Sequence, residues 1–299
     1  MHSLLPREAP RFTLPPLAAG KRGLVLGMGG GCDVIGALAV AKLWKEQSQP
    51  DAAVLYGNCV SPREFPEDFK ALGEFLWMCS PNVVELQQGD QAYGTTRLEQ
   101  SLPRCSEGSP FVFVVPHDGR DGMSLEEATK KNTRALCESL EALRVDSVVG
   151  VDLGGDSLTG GFDFHGDAEF GRDRQVLHAL RASNVPCVHL VVAPGCDGES
   201  TIEGMRAAVR ELDEAGALLG TMPLDEMVGT MRSHAANLSP MRTPNIIHSA
   251  FGRVNSASSD DGAAASPEMF RIVRHNQEAH IPCSWLTIAL AIDLHPRTP

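Results

Sequence analysis

The chain has 299 residues, of which 42% are hydrophobic, and this is enough apolar material for one large core. Its formal net charge of −12 repels phosphate backbones and anionic lipid surfaces, which makes nucleic acid and membranes poor candidates as partners. No apolar run approaches the roughly 20 residues of a membrane span, and no signal sequence is recognisable at the N-terminus. The eight cysteines form no C-x-x-C pair, so we expect reduced thiols in a cytoplasmic protein.

Residues 1–20 contain four prolines and no periodic pattern, which predicts an N-terminal arm before a single α/β domain over residues 21–299. The predicted strands of that domain are Gly23–Gly27, Ala52–Tyr56, Phe111–Val115, Ser147–Val151 and Cys187–Ala193. The predicted helices are Val34–Trp44, Ser124 to about Leu143, Arg172–Ala182 and a helix that is capped by Ser200 or Thr201 and runs to about Ala217. Because strands and helices alternate, we expect a mainly parallel sheet with helices on both faces.

The remaining segments have less regular patterns. Leu72–Cys79 is predicted as a short helix, and residues 221–250 as irregular helices. Residues 255–266 form a low-complexity stretch, which is typical of a mobile surface loop. Trp285–Ile292 fits a final strand or a buried helix, and its β-branched residues and its position after Pro282 favour the strand.

Ligands of open parallel sheets bind beyond the carboxyl ends of the strands. In this chain several of these strand ends lead into loops rich in Gly and Asp. The loops are Gly27–Asp33, Pro116–Gly122, Asp152–Gly161 and Pro194–Glu199. Because such ends share one edge of the sheet, we predict that the four loops converge on one ligand site.

The first of these loops is rich in glycine and precedes a helix. Glycine lets the backbone approach a ligand closely, and the free N–H groups of a helix start attract anions. Cys32 occupies the position of the last glycine of the dinucleotide fingerprint, and Asn58 rather than an acid ends the second strand, so a dinucleotide site is not expected. We predict a phosphate or carboxylate cradle, with a glycine turn needed only for packing as the alternative. The predicted cradle residues are Gly27, Gly29, Gly30 and Gly31.

Paired acids at a second strand end are the next candidates. Asp152 and Asp156 flank Gly154 and Gly155, a hinge that can turn both carboxylates toward one point. Paired carboxylates bind hard cations or divide acid and base roles between them. We therefore predict catalytic roles for the two acids and backbone contacts to the ligand for the two glycines. Asp is also common in turns that bind no ligand.

Further acids and one arginine complete the predicted site. The predicted ligands of Mg²⁺ or Mn²⁺ are Asp33, Asp156, Asp197 and Glu199. Asp33 and Glu199 also fit a simple role at a helix start. Arg172 is a candidate clamp for an anionic group, and His117 is a candidate base. Cys32 and Cys196 lie near helix starts, where thiol pKa values fall, but a nucleophilic cysteine is the less favoured interpretation.

Three of these segments together resemble a family catalogued as domain of unknown function 1152. In chain order they are Val25–Leu38, Val151–Asp156 and Gly195–Glu199. The resemblance covers roughly residues 22 to 215 and implies a Rossmann-like three-layer α/β sandwich with a mainly parallel sheet, but it implies no activity. Residues 166–175 depart from the family's pattern, which indicates a divergent member.

The expected function is that of an enzyme acting on a small anionic metabolite, phosphorylated or nucleotide-like, as a metal-assisted hydrolase or transferase. A non-catalytic nucleotide or metabolite sensor on the same fold is the first alternative. A purely structural module is the second. The sequence is also compatible with a homo-oligomer.

Overall fold

The computed structural model of the chain describes residues 4–5, 9–79, 85–86, 95–104, 110–117, 122–161, 168–257, 269–274 and 277–296. The strands are β1 (Arg22–Gly27), β2 (Ala53–Val60), β3 (Lys70–Ala71), β4 (Leu76–Met78), β5 (Phe111–Val114), β6 (Ser147–Leu153), β7 (Cys187–Val192), β8 (Leu218–Pro223), β9 (Met269–Arg274), β10 (Gln277–Pro282) and β11 (Ile288–Asp293). The helices are α1 (Asp33–Gln47), α2 (Arg97–Gln100), α3 (Leu125–Leu143), α4 (Asp156–Thr159), α5 (Arg172–Ala182), α6 (Ile202–Glu214), α7 (Asp225–Ala235) and α8 (Thr243–Ala257).

A large sheet forms the centre of the fold, in the order β3-β4-β5-β2-β1-β6-β7-β11-β8. Its five central strands, from β5 to β7, are parallel. The chain moves outward from β1 through β2 to β5 and then returns to the other side of β1 with β6 and β7. The direction of the crossovers therefore reverses between β1 and β6, which makes this the topological switch point where α/β sheets bind ligands.

Helices cover both faces of this sheet. On one face α1 packs beside α7, and its Gly36 lies against the side chains of Val151 and Leu153. On the other face α3 packs beside α5, and Leu180 of α5 lies close to Gly150. Gly150 and Val151 are consecutive residues of β6, so they face opposite sides of the sheet, as the period of a strand requires. The predicted Rossmann-like α/β sandwich is confirmed.

The five predicted strands and four predicted helices are present, and α1 and β2 are longer than expected. The predicted helix cap is also present, because the side chain of Ser124 accepts a hydrogen bond from the backbone N–H of Glu127. Trp285–Ile292 contains strand β11 after one 3₁₀ turn, so the preference for a strand is confirmed. The predicted loop over residues 255–266 lies largely outside the described residues, apart from the end of α8.

One prediction for the edges of the sheet is wrong, and another is confirmed except at its start. Leu72–Cys79 is not a helix, because it contains β4, which pairs antiparallel with β5 and places Leu76 in the core. Residues 221–250 begin with part of β8, which pairs with β11, before the predicted helices start. Both short strands are stabilised by neighbours that are distant in sequence, which local patterns do not encode.

The N-terminal arm packs along the sheet. The backbone N–H of Phe12 donates to the carbonyl of Thr221 at 2.7 Å, beside β8. Farther along the arm, the carbonyl of Pro15 accepts a hydrogen bond from the indole of Trp44 at 2.8 Å. Leu14 and Leu17 of the arm are buried. Within the described residues, no helix is both long and apolar enough to cross a membrane.

Candidate functional site

The loops at the switch point are joined to one another by backbone hydrogen bonds. The N–H of Met28, at the end of β1, donates to the carbonyl of Val151 on β6 at 3.0 Å. The N–H of Gly195, after β7, donates to the carbonyl of Gly154 at 2.6 Å. Three of the four predicted loops therefore converge at one edge of the sheet, namely those after β1, β6 and β7.

The fourth loop follows β5, two strands away from β1. The amide of Asn132 on α3 holds it, accepting from the backbone N–H of His117 at 3.0 Å and donating to its carbonyl at 2.8 Å. Residues 118–121 of this loop lie outside the described residues. The arrangement places His117 on the same sheet edge as the other loops, at its β5 side.

The first two residues of α5 cover the glycine-rich loop. A Cβ atom added to Gly29 would lie 2.1 Å from Oδ1 of Asp173, and one added to Gly30 would lie 2.4 Å from Nη1 of Arg172. Arg172 donates hydrogen bonds to the carbonyl of Gly29 and, at 2.7 Å, to the hydroxyl of Ser61. Glycine is needed here because side chains of the protein itself approach the backbone. Gly30 and Gly31 also have positive φ angles of +84° and +52°.

Gly27, which opens the loop, has a packing role. A Cβ atom there would lie 2.6 Å from Oδ1 of Asn58, the residue near the end of β2. The amide of Asn58 donates to Glu99 at 2.7 Å, and both side chains are buried. The end of β2 therefore carries a buried polar pair in the position where a dinucleotide site has an exposed acid, in agreement with the sequence argument against such a site.

Three carboxylates meet beside the glycine-rich loop. Asp33, Asp152 and Asp173 each offer an oxygen atom, and these three atoms all lie within 4.8 Å of one another. They come from α1, β6 and α5, so the cluster joins segments that are far apart in sequence. Asp33 and Asp152 are buried, while Asp173 is partly buried.

Backbone N–H groups orient two of these carboxylates. Asp33 accepts from the N–H of Gly29 at 2.7 Å and from the N–H of Leu153 at 3.3 Å. Asp152 accepts from the N–H of Gly155 at 3.0 Å and from the N–H of Ser157 at 3.2 Å. Both oxygens of Asp33 and Oδ1 of Asp152 keep a second lone pair, so the two carboxylates are fixed in position without losing their capacity to bind a ligand.

A buried hydrogen-bonded chain extends behind Asp152. The hydroxyl of Ser157 donates to Asp152, and it lies 3.0 Å from Nε2 of His189 on β7. All three side chains are buried. Burial lowers the pKa of His189 to about 4, so this imidazole is neutral at physiological pH. The chain therefore helps to fix the position of Asp152.

Three more acids extend the cluster toward the loop after β7. Asp156, at the start of α4, hydrogen-bonds to Asp173. Asp197 lies against Gly154, since a Cβ atom there would be 2.1 Å from its Oδ2. The carboxylate of Glu199 is close to Gly161, at 3.5 Å from the corresponding Cβ position. Both Asp197 and Glu199 raise the pKa of Asp156, which places them within electrostatic reach of the cluster.

Burial and mutual repulsion change the acidity of these groups. Burial, together with the nearby charge of Asp152, raises the pKa of Asp173 to about 7. The pKa values of Asp33 and Asp156 are also raised well above the usual range, by burial first and then by the neighbouring carboxylates. Without a cation, the cluster is therefore expected to hold protons at neutral pH.

The two cysteines near helix starts are both enclosed by the protein. Cys32 precedes α1 and Cys196 lies in the loop after β7, and both side chains are buried. Another buried thiol, Cys59 on β2, has its pKa raised by burial. A reactive thiolate needs exposure as well as a positive environment, so the structure favours the carboxylates over the cysteines as the reactive groups.

The site contains three residues that the sequence did not assign to it: Asp173, Ser157 and His189. Asp173 follows Arg172 at the start of α5. The sequence predicts this helix start, but it does not predict that the helix start lies over the glycine-rich loop. His189 interrupts the apolar run of β7, and a lone polar residue in a buried strand signals a hydrogen-bonded partner. Ser157 directly follows the predicted Asp156.

Comparisons with known proteins give one match. Residues 113–239 match a family described as Protein of unknown function (DUF1152). The predicted resemblance is therefore confirmed, although the matched stretch begins after β2 rather than at residue 22. No curated protein and no solved structure matches the chain.

The DUF1152 stretch contains most of the acidic cluster. Its acids are Asp152, Asp156, Asp173, Asp197 and Glu199. Asp33, on α1, and the glycine-rich loop, which connects β1 to α1, lie before the matched stretch. The complete cluster therefore depends on β1 pairing with β6, which brings Asp33 to the matched region.

Replacing Ser157 by Ala should lower the free energy of unfolding by about 1–3 kcal/mol, because it leaves the buried Nε2 of His189 without its hydrogen-bond partner. Urea unfolding measures this. Ser233, an exposed serine on α7, is the matched control, and its change to Ala should alter stability by less than about 0.5 kcal/mol. Equal effects of the two substitutions would contradict a structural role for the buried chain.

Proposed function

We propose that this protein is an enzyme that acts on a small anionic metabolite, phosphorylated or nucleotide-like, with the help of Mg²⁺ or Mn²⁺. The observation that carries the proposal is the trio Asp33, Asp152 and Asp173, whose oxygens lie within 4.8 Å of one another. An octahedral ion such as Mg²⁺ holds opposite ligand oxygens about 4.2 Å apart and neighbouring ones about 2.9 Å apart, so the three oxygens would move closer together on binding it. Hard oxygen ligands are the type that these cations prefer.

The charge of the site supports a cation as the bridge to an anionic substrate. Six carboxylates within electrostatic reach of one another would repel a phosphate group in the absence of a counter-ion. A divalent cation reverses the local charge and offers open coordination positions to phosphate oxygens. Arg172 adds a positive charge beside the glycine-rich loop. The substrate's anionic group would thus lie between the trio and this arginine.

Asp156 is the group best placed to exchange protons with the substrate or with an attacking water. It hydrogen-bonds to Asp173, and its pKa is raised by burial and by neighbouring acids. A carboxylate with a raised pKa is a better base than an exposed one, and in its protonated form it serves as an acid. A metal supplies an activated water, and together these groups support a hydrolase or a phosphoryl or nucleotidyl transferase.

A screen for turnover tests this proposal. Nucleotides and sugar phosphates are incubated with the protein and Mn²⁺, and phosphate release or substrate loss is measured. We expect at least one compound to be converted, and we expect Asp156→Asn to lower its turnover by about 100-fold or more with the fold retained by circular dichroism. The control is Asp51→Asn, an exposed acid before β2 at the other end of the sheet, which should leave turnover unchanged.

Two outcomes contradict the proposal. Full activity in the Asp156→Asn variant removes the assigned role of the cluster. A compound that raises the melting temperature of the protein, and yet is never converted, instead favours the non-catalytic sensor.

A further inference from the structure

A cavity lies at the amino ends of the parallel strands, at the other end of the sheet from the carboxylate cluster. Its volume is about 690 Å³. Its floor is a row of neighbouring residues on three paired strands, Val149 on β6, Val188 on β7 and Asp293 on β11. Because these residues pair directly with one another across the sheet, they share one face. This is the face that α1 covers farther along β6, at Val151 and Leu153.

The N-terminal arm, rather than a helix, forms a wall of this cavity. Residues 14–18 line it together with Trp44 at the end of α1. The arm is fixed on both sides of the cavity, by the bond of Phe12 to β8 and by the bond of Trp44 to the carbonyl of Pro15. Leu17 closes the side toward β1, since it lies against Gly23. The wall is therefore held in place by specific contacts.

The floor of the cavity is incompletely packed by the protein itself. Val188 is only partly buried, although β7 has neighbours on both sides, and such strands are normally covered on both faces. The hydroxyl of Ser147, which also lines the cavity, is buried and has no hydrogen-bond partner within the described residues. The cavity is partly open to solvent, since Pro15, Pro16 and Asn184 of its lining are exposed. A volume of this size is in the range of small-molecule sites.

The charge of the lining indicates which kind of molecule fits. Among the described residues that line the cavity, Asp293 is the only acid, and there is no Lys or Arg. The rest of the lining is mainly apolar and includes Leu14, Leu219 and several valines and prolines. The neutral polar residues of the lining are Ser147, Ser183 and Asn184. His295 also lines the cavity; its backbone N–H donates to Asp293 at 2.9 Å, and its imidazole Nε2 lies 3.1 Å from the carbonyl of Arg181. A ligand with an apolar body and one positively charged donor group fits this lining, whereas a carboxylate or phosphate would meet the carboxylate of Asp293 with no Lys or Arg to compensate it.

We propose that this cavity is a binding site for a small amphipathic amine, whose ammonium group pairs with Asp293 and whose apolar body lies on Val149 and Val188. The site is separate from the carboxylate cluster and does not depend on the enzymatic function proposed above. It lies between the sheet and the N-terminal arm, so a bound amine stabilises the packing of the arm on the sheet.

Three probes of equal chain length test the site. Hexylammonium, hexan-1-ol and hexanoate are titrated at pH 8, with saturation-transfer difference NMR as the measure of binding. We expect hexylammonium to bind at least about fivefold more tightly than hexan-1-ol, and hexanoate to bind least. Asp293→Asn should abolish the preference for the amine over the alcohol. Hexanoate binding as tightly as hexylammonium would overturn the proposed class of ligand.

Filling the cavity tests the location. Val188→Trp places an indole on the cavity floor and should abolish binding of hexylammonium, and Leu219→Trp fills the same space from β8 if the first variant fails to fold. Unchanged binding in a folded filling variant would overturn the site. The acidic cluster is a competing site for any amine, so binding is repeated in Asp173→Asn. Undiminished binding there supports the cavity, and loss of binding in that variant assigns the amine to the cluster and overturns the proposal.

Discussion

Replacing Asp173 by Asn should stabilise the metal-free protein and at the same time weaken its binding of Mn²⁺. Burial and the charge of Asp152 raise the pKa of Asp173 to about 7, so the ionised form of this carboxylate is unfavourable in the folded state. An amide of the same shape removes that cost, and we expect the free energy of unfolding at pH 8 to rise by about 1–3 kcal/mol. The same change removes one charged ligand of the trio, and we expect the Kd of Mn²⁺ to rise by at least about tenfold.

The opposite signs of these two effects distinguish a binding site from a structural cluster. A residue that only holds the fold together destabilises the protein when it is changed, whereas a ligand-binding residue under strain stabilises it. Thermal unfolding without metal and calorimetric titration with Mn²⁺ measure the two effects on the same samples. Asp51→Asn serves as the control and should change neither quantity. Destabilisation of the metal-free Asp173→Asn variant, or an unchanged Kd, would contradict the proposed metal site.

The position of the site was predictable because it follows from the topology of parallel sheets. Once the apolar runs ending at Gly27 and Val151 are recognised as strands, their carboxyl ends must lie at one edge, and the loops that follow must meet there. The glycine pattern identified the same loop from local chemistry. Neither argument needed the three-dimensional positions of side chains, and both gave the region in which the acids cluster.

The composition of the cluster was less predictable. Asp173 enters it because the start of α5 packs over Gly29, and the register of that helix against the loop is set by the packing of α5 on α3 and on the sheet. The only local sign of this contact in the sequence is the glycine at position 29, and that glycine also fits a loop that leaves space for a ligand. In the structure the space beside Gly29 is occupied by the carboxylate of Asp173.

The order of the strands beyond β7 and the cavity at the amino ends of the strands were not predictable from local sequence patterns. β11 inserts antiparallel between β7 and β8, so it brings Asp293 beside Val188 from a position about a hundred residues away. The N-terminal arm has no periodic pattern, yet its residues Leu14 and Leu17 are buried. Its irregular, proline-rich backbone has few local signals, because its hydrogen bonds go to distant segments.

The affinity of the cluster for Mn²⁺ should depend strongly on pH. In the metal-free protein Asp173 has a pKa of about 7, and the pKa values of Asp33 and Asp156 are raised by burial and by their neighbours. Metal ligands must be deprotonated, so the ion has to displace protons below these pKa values. For each proton displaced, the Kd should fall about tenfold per pH unit up to the pKa, and we expect a decrease of about 30-fold or more between pH 5.5 and pH 7.

Stability without metal should have the opposite dependence on pH. Between the ordinary carboxyl pKa of 3.8 and the raised value of about 7, the folded protein holds protons at Asp173 that the unfolded chain has released. The contribution of Asp173 to the free energy of unfolding therefore decreases as pH rises through this range. His189 acts in the reverse sense, because its lowered pKa makes the folded state lose stability as pH falls from about 6.5 toward 4.

The difference between wild type and Asp173→Asn isolates the carboxylate from the histidine. The free energy of unfolding of Asp173→Asn should equal that of wild type near pH 4. It should exceed the wild-type value increasingly up to about pH 7, because the variant lacks the carboxylate that titrates in this range. Calorimetric titration of Mn²⁺ in two buffers of different ionisation enthalpy counts the protons released on binding. A Kd that is the same at pH 5.5 and pH 8, with no proton release, would mean that Mn²⁺ binds elsewhere, and the carboxylate trio would lose its assigned role.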